Sequence, residues 1–285
     1  MGVQPPARTR RDRCPGALRP WPAADGLLIR LRLIGGHVTA TALRALAGVA
    51  EQYGDGRVHL TVRANVQLRG LPGRDGALDP GVLTAIEATG LLPSRSHELV
   101  RNVLVSPQTG LAGGLGDLRP VAAALDGLLC RQPRLAELPG RFLFVLDDGR
   151  GDLLSRSCDL GLVMLDREAA QLRAGDGWGA VVPVDEAAAR LAELADEFLL
   201  RRGSGPAAPW HVAELPAPLA AGAPPDPRLP VAAPPLPYGP VPGGRHVPVP
   251  DVGLDRAAVE AITAGVPAVI VTPWRGVLIH EEDRP

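Results

Sequence analysis

The sequence predicts an α+β protein with small β-α-β units at its two ends and a mixed α/β middle. Three observations carry this. A strand, an amphipathic helix and further strands follow one another within about 45 residues near the N-terminus. Helix and strand patterns then succeed each other through the middle of the chain. Near the C-terminus a helix–strand–strand pattern echoes the first one, roughly 210 residues later.

Residues 1–25 are rich in Pro and Arg and read as an extended lead-in. The run from Leu27 to Leu33 reads as a strand, and Gly35-Gly36 as a turn. Thr39 to Tyr53 carries Leu43, Leu46, Ala47 and Ala50 at helical spacing, with Thr39 or Thr41 as cap and Gly54 as stop. Arg57 to Val62 alternates as a second strand, and Asn65 to Arg69 supplies a third, which together make half of a ferredoxin-like fold. Asp79-Pro80 opens a short helix to Gly90. Gly110–Gly116 holds four glycines but lacks the strand–helix setting of a dinucleotide loop. Asp117 to Cys130 is an amphipathic helix. Phe142–Leu146 and Leu160–Met164 read as paired strands, with turn chemistry from Asp147-Asp148-Gly149. Asp185 to Arg202 is a helix stopped by Gly203. Residues 205–250 hold 15 of the 31 prolines and read as an extended linker. A helix near Leu254–Ile262 and strands Ala268–Val271 and Val277–Ile279 follow.

These readings divide the chain into an N-terminal segment (1–25), a first half-domain (26–75), a mixed α/β domain (76–204), a Pro-rich linker (205–243) and a second half-domain (244–285).

Composition narrows the functional classes. The 285 residues are 46% hydrophobic and 21% charged, a globular balance, and no apolar run is long enough to span a bilayer. No secretory signal follows Met1, so a reducing cytoplasm is the expected compartment. Net charge is −1, yet residues 1–75 carry 12 Arg against 5 acids, a local +7, which points to an anionic partner. With 3% aromatic residues and no basic tract, nucleic acid is not expected, whereas a small polycarboxylate fits. Cys14, Cys130 and Cys158 lie far apart, and the six His show no i, i+4 pair, so no metal site is expected.

Several motifs together resemble the nitrite and sulfite reductase superfamily. They are Cys14-Pro15-Gly16, the run from Asp25 to Leu31, the run Thr61-Val62-Arg63-Ala64-Asn65-Val66-Gln67, and Arg101-Asn102-Val103. Thr272-Pro273-Trp274-Arg275 and Phe144 to Gly149 are most similar to its precorrin-3B synthase branch. The resemblance implies two ferredoxin-like half-domains flanking a nitrite/sulfite reductase-type α/β domain. It also implies an oxidoreductase of cobalamin biosynthesis that hydroxylates precorrin-3A with oxygen and closes a lactone. The family uses a 4Fe-4S cluster and iron, with siroheme in the reductases. No cluster ligands are spaced for it here, so the cluster-bearing C-terminal domain is expected to be missing. That would leave apolar surface on residues 244–280, and a chain inactive alone, a remnant that binds a tetrapyrrole or a partner, or half of a split enzyme. The expected partners are a tetrapyrrole polycarboxylate and either a separate iron–sulfur chain or further copies of this one.

By the same resemblance Arg63 and Arg101 bind anionic groups, with Asn102 beside Arg101. A guanidinium holds a carboxylate in two hydrogen bonds. Strand alternation places Asn65 and Gln67 on the face of Arg63. Arg141 takes the place of a basic residue of the reductases, and Leu143 that of a second one, which argues against a siroheme sulfite or nitrite reductase. The internal echo sets Arg275 opposite Arg63, and the four arginines are expected to converge on one cleft. No catalytic residue is assigned.

Overall fold

A computed structural model describes residues 12, 14–219 and 222–280. Most of the N-terminal lead-in therefore lies outside the described residues. The chain divides into two compact units, one holding residues 14–98 and 235–280, the other residues 99–234 with Asp12. The helix after Asp79 thus goes with the first half-domain, and the Pro-rich stretch as far as Pro234 goes with the α/β unit.

In the first unit β1 (Trp21–Ala23) and β2 (Gly26–Leu31) form a hairpin, followed by β3 (His37–Thr39) and α1 (Ala40–Tyr53). Thr39 caps α1 by accepting the Ala42 N–H at 3.2 Å. The helix buries Leu43, Leu46, Ala47 and Ala50, the positions its periodicity marks. Then come β4 (His59–Leu60), β5 (Val66–Leu71), the small ribbon β6 (Gly73–Arg74) and β7 (Ala77–Leu78), and α2 (Pro80–Ala88). The sheet order is β1-β2-β5-β4. The second strand is shorter than its alternation predicts, because Val58 turns away to pair with Leu254.

The α/β unit contains β8 (Val103–Val105), α3 (Arg119–Arg131), β9 (Phe144–Asp147), β10 (Leu160–Met164), β11 (Ala169–Ala174), β12 (Gly177–Pro183) and α4 (Ala187–Arg202). They make one sheet ordered β12-β11-β10-β9-β8. The pairing of β9 with β10 is parallel, so Asp147-Asp148-Gly149 is not the hairpin turn it resembles. A longer loop makes the crossing, and Asp147 organises it by accepting N–H groups from Gly149, Gly151 and Leu153 at 2.9–3.0 Å. β11 and β12 carry no alternation to read: the middle four residues of β11 are all buried, and β12 buries only Gly179 and Val182. Phe142, Phe144 and Phe198 form the aromatic centre of the core, with ring centroids 5.1–5.2 Å apart.

The Pro-rich stretch is not an extended spacer within this unit. Gln171 donates to the Pro224 carbonyl and accepts the Asp226 N–H, both at 2.9 Å, and Ala223 bridges Trp178 on edge strand β12. Ala233 donates to the Gly151 carbonyl at 2.9 Å. A segment poor in backbone donors thus covers an edge that would otherwise stay open.

The first unit is completed by β13 (Gly239–Val241), β14 (Gly244–Pro248), α5 (Arg256–Ile262), β15 (Ala268–Val271) and β16 (Gly276–His280), ordered β13-β14-β16-β15-β3. This repeats the first half strand for strand: hairpin, helix, strand, turn, strand. Each half lends the segment before its helix to the other. β3 pairs with β15, and Leu254, just ahead of α5, pairs with Val58. Gly36 allows the first exchange, since a Cβ there would lie 2.0 Å from the Val271 carbonyl oxygen, and its φ is +74°. The apolar surface expected on 244–280 is not there: Val252 is the one exposed large apolar side chain among those residues, and Val269, Val271, Val277 and Leu278 are buried.

Candidate functional site

Strand β2 and the turn ahead of β5 bring Arg30, Arg32 and Arg63 within electrostatic reach of one another in the first unit. β2 and β5 are antiparallel, with Arg30 opposite Gln67, and Arg30 Nη2 donates to Gln67 Oε1 at 3.3 Å. Arg32 follows just past the strand and is 4% exposed. Its Nη1 donates to the carbonyls of Pro15 and Arg30, each at 2.6 Å. The buried Nε atoms of Arg30 and Arg32 have no hydrogen-bond partner among the described residues. A buried guanidinium donor without an acceptor is costly.

Burial lowers the pKa of Arg30, and the neighbouring Arg63 pushes it the same way against the opposing effect of Cys14. Arg32 is lowered to about 10, by burial first and by Arg30 next. Glu98 supplies the nearby negative charge. Its carboxylate accepts the N–H groups of Ala17 and Leu18 at 2.6 and 2.9 Å, while burial raises its pKa. The site therefore holds three crowded guanidiniums, Arg30, Arg32 and Arg63, with one carboxylate turned to the backbone. Sequence reasoning did not single out Arg30 and Arg32. Their signal was two arginines at i, i+2 in the otherwise apolar run from Leu27 to Leu33.

Two expectations about this region change. Arg63 and Asn65 are not on a strand. They sit in the turn before β5, where Thr61 N–H donates to the Asn65 carbonyl at 2.9 Å and Ala64 is left-handed. Asn65 is buried, and its Oδ1 accepts the Leu33 N–H at 2.9 Å, so it braces the end of β2 and does not line a polar face with Arg63 and Gln67. The second half contains the same turn. Thr272 N–H donates to the Gly276 carbonyl, and Arg275 N–H to the Thr272 carbonyl. The match sets Ala64 with Arg275 and Arg63 with Trp274, so Arg275 is not the counterpart of Arg63. Arg275 is exposed and pairs with Asp251. Register likewise sets Arg30 with His246, which pairs with Leu278 as Arg30 pairs with Gln67. The guanidinium cluster belongs to one half only.

Arg101, Asn102 and Arg141 lie in the α/β unit. β8 and β9 run parallel, with Val103 beside Phe144, so Arg101 and Arg141 precede neighbouring strands at the same end of the sheet. Asn102 joins these two approaches by donating to the carbonyls of Leu99 and Gly140 at 2.9 and 3.0 Å. Asp126 of α3 grips Arg101 in a two-point ion pair at 2.6 and 2.8 Å. Arg141 is exposed. Leu143 is buried, with its N–H on Asp159 at 2.9 Å. The glycine-rich loop 110–116 bounds a shallow cavity of about 470 Å³ with Asp117 and Arg167.

A four-iron cluster does not fit the described residues. Cys14 belongs to one unit, and Cys130 and Cys158 to the other. No three His, Cys, Asp or Glu side chains among the described residues are grouped to hold a metal. Nor is any described helix long and apolar enough to cross a membrane.

Comparisons with known proteins agree with this architecture. Residues 22–75 match the nitrite/sulfite reductase ferredoxin-like half domain. The solved structure of the Mycobacterium tuberculosis NirA protein superposes with a TM-score of 0.69 over 90% of this chain and 54% of that one, at 19% identity, which is a likeness of fold. A precorrin-3B synthase from Sinorhizobium sp is 31% identical over 174 residues, covering 60% of this chain and 35% of the relative. A ferredoxin–nitrite reductase from Leptolyngbya laminosa is 33% identical over 129 residues, covering 42% of this chain and 25% of the relative. Residues 22–75 thus carry the nitrite/sulfite reductase ferredoxin-like half domain, and the likeness of fold to NirA extends over 90% of the chain. In sequence, the similarity to the precorrin-3B synthase extends over more of this chain than that to the nitrite reductase. It spans about a third of the length of that synthase and about a quarter of the nitrite reductase.

Proposed function

We propose that this chain serves a precorrin-3B synthase-like oxidoreductase and that its guanidinium cluster receives the carboxylates of a tetrapyrrole. The observation that carries this reading is the pair of buried, unpartnered Nε donors on Arg30 and Arg32, beside Arg63. A polycarboxylate supplies acceptors for the guanidinium N–H groups of the cluster, and each charge-assisted contact is worth roughly 1.5–3 kcal/mol. On this reading Gln67 orients Arg30. The reaction proposed is the oxygen-dependent hydroxylation of precorrin-3A with lactone formation. Where that reaction uses a cluster, the thiolates come from outside the described residues, on a separate iron–sulfur chain or on other parts of a longer protein. The buried Leu143, where the reductases carry a cation, favours this large substrate over sulfite or nitrite. The proposed setting is the cytoplasm. Parallel assays with precorrin-3A under oxygen, with nitrite and with sulfite test the reading. The hydroxylated lactone is the expected product, and turnover of nitrite or sulfite alone would overturn it.

A further inference from the structure

Three carboxylates are buried close together where β9 ends: Asp147, Asp148 and Asp152, at 1%, 0% and 9% exposure. Arg150 is the counter-ion of Asp148, at 2.7 and 2.8 Å, and directs its other contacts to Gln108 and to the Ala112 carbonyl. Asp147 is held by backbone, since it accepts the N–H groups of Gly149, Gly151 and Leu153. Asp152 has less support. Its one hydrogen bond among the described residues comes from the Ser106 hydroxyl onto Oδ1, at 2.7 Å, and Ser106 Oγ in turn accepts the Asp148 N–H at 3.2 Å. A buried carboxylate so placed, with Asp147 and Asp148 near it, is hard to ionise. Burial first, then Asp147, push its pKa up to about 7, and Arg150 opposes this only in part. Because Oδ1 accepts from Ser106, the proton on Asp152 sits on Oδ2.

The same loop seats the Pro-rich stretch. Gly151 is buried and left-handed, at φ +79°, and its carbonyl accepts the Ala233 N–H at 2.9 Å. A Cβ on Gly151 would lie 2.3 Å from the Val231 carbonyl oxygen, so the stretch rests directly on the neighbour of Asp152. Residues 229–235 carry no charge to compensate an anion beneath them. An earlier part of the stretch is anchored separately, by Gln171 on the Pro224 carbonyl and the Asp226 N–H.

We propose that Asp152 is a proton-operated latch for the Pro-rich stretch: while it is neutral, residues 231–233 stay seated on Gly151, and once it ionises they lift away while the Pro224–Asp226 end stays bound. Ionisation adds a second negative charge beside Asp147, whose own carboxylate holds the N–H groups of Gly151 and Leu153 on either side of Asp152. Rotation of the backbone between Gly151 and Asp152 relieves the repulsion. It carries the carboxylate toward water and turns the Gly151 carbonyl away from Ala233. In the released form Asp152 titrates as an ordinary carboxylate, near 4, whereas the seated form keeps its proton to about 7. Release is therefore increasingly favoured as pH rises from about 4 to about 7, and levels off above that. The latch makes no use of the proposed tetrapyrrole site.

The test is amide hydrogen exchange on the full chain, read as protection factors corrected for the intrinsic effect of pH on exchange. Two amides of the same stretch are compared. Ala233 reports the latch, and Ala223, whose N–H donates to the Trp178 carbonyl at 2.9 Å, reports the other end. Between pH 5 and pH 8 the protection of Ala233 should fall about tenfold or more while that of Ala223 holds. Asp152→Asn has no proton to lose there and should keep Ala233 protected throughout. Protection at Ala233 that ignores pH, that falls together with Ala223, or that falls as steeply in Asp152→Asn would overturn the proposal. Where the variant fails to fold, the two amides of the wild type decide.

Discussion

Ala64 and Arg275 occupy the same place in two copies of one turn. Each is left-handed, at φ 54° and 58°, and each donates its N–H to the carbonyl of a threonine three residues earlier, Thr61 or Thr272. In both copies the threonine Oγ1 also accepts the N–H of the residue that follows, from Asn65 at 3.1 Å and from Gly276 at 3.2 Å. The backbone of the turn is duplicated while its side chains have diverged. Arg63 and the cluster around it are specific to the first copy.

The duplicated turn makes a stability prediction. A non-glycine residue in the left-handed region costs about 1–2 kcal/mol. Arg275 is exposed and its ion pair with Asp251 lies at the surface, so Arg275→Gly should stabilise the chain by about 0.5–1 kcal/mol. Arg275→Val should destabilise it by about 1–2 kcal/mol, because a β-branched side chain fits this conformation poorly. Urea unfolding of the two variants should show shifts of opposite sign.

The strand exchange between the halves passes beside Gly36. A Cβ there lies 2.0 Å from the Val271 carbonyl oxygen, so either the backbone of β15 or that of β3 must move. Gly36→Ala should cost about 2–4 kcal/mol. Amide exchange should then show lost protection at Val269, whose partner on β3 is Val38. Unchanged protection would show that the exchanged strand does not depend on this glycine.

Asp152 predicts a pH dependence in the α/β unit. The residue is 9% exposed, and its carboxyl accepts a hydrogen bond from Ser106 at 2.7 Å and is pushed up to about 7 by burial and then by Asp147. Below about pH 4 the group is protonated in the folded and unfolded chains alike. As pH rises from about 4 to about 7 the unfolded chain releases the proton while the folded chain keeps it, so this residue's contribution to stability falls. Asp152→Asn should remove that loss, gaining about 2–4 kcal/mol on the wild type across this window. Thermal melts of both proteins from pH 4 to 8 should diverge with rising pH. Parallel curves would contradict the assignment.

Much of this architecture was legible in the chain. α1 follows the spacing of Leu43, Leu46 and Ala50 with Thr39 as its cap, because local periodicity and capping act over a few residues. The strand exchange was not legible, since no local signal in Val58 announces a partner at Leu254. Nor was the parallel pairing of β9 and β10, because Asp147-Asp148-Gly149 carries turn chemistry whether it closes a hairpin or a longer loop. At the site, the motif drew attention to Arg63 and Asn65, yet Asn65 braces Leu33. Arg30 and Arg32 stood out only once their buried Nε atoms were seen to lack partners among the described residues, a property of three-dimensional packing that spacing does not encode.

The central claim is that the cluster of Arg30, Arg32 and Arg63 receives a polycarboxylate tetrapyrrole. Fluorescence titration of the full chain with uroporphyrin, at low and at high salt, tests it most directly. Binding should weaken about ten- to a hundredfold in Arg63→Ala at low salt, and in the wild type as salt rises. An Arg63→Ala chain that binds uroporphyrin as tightly as the wild type, with the same salt dependence, would contradict the account.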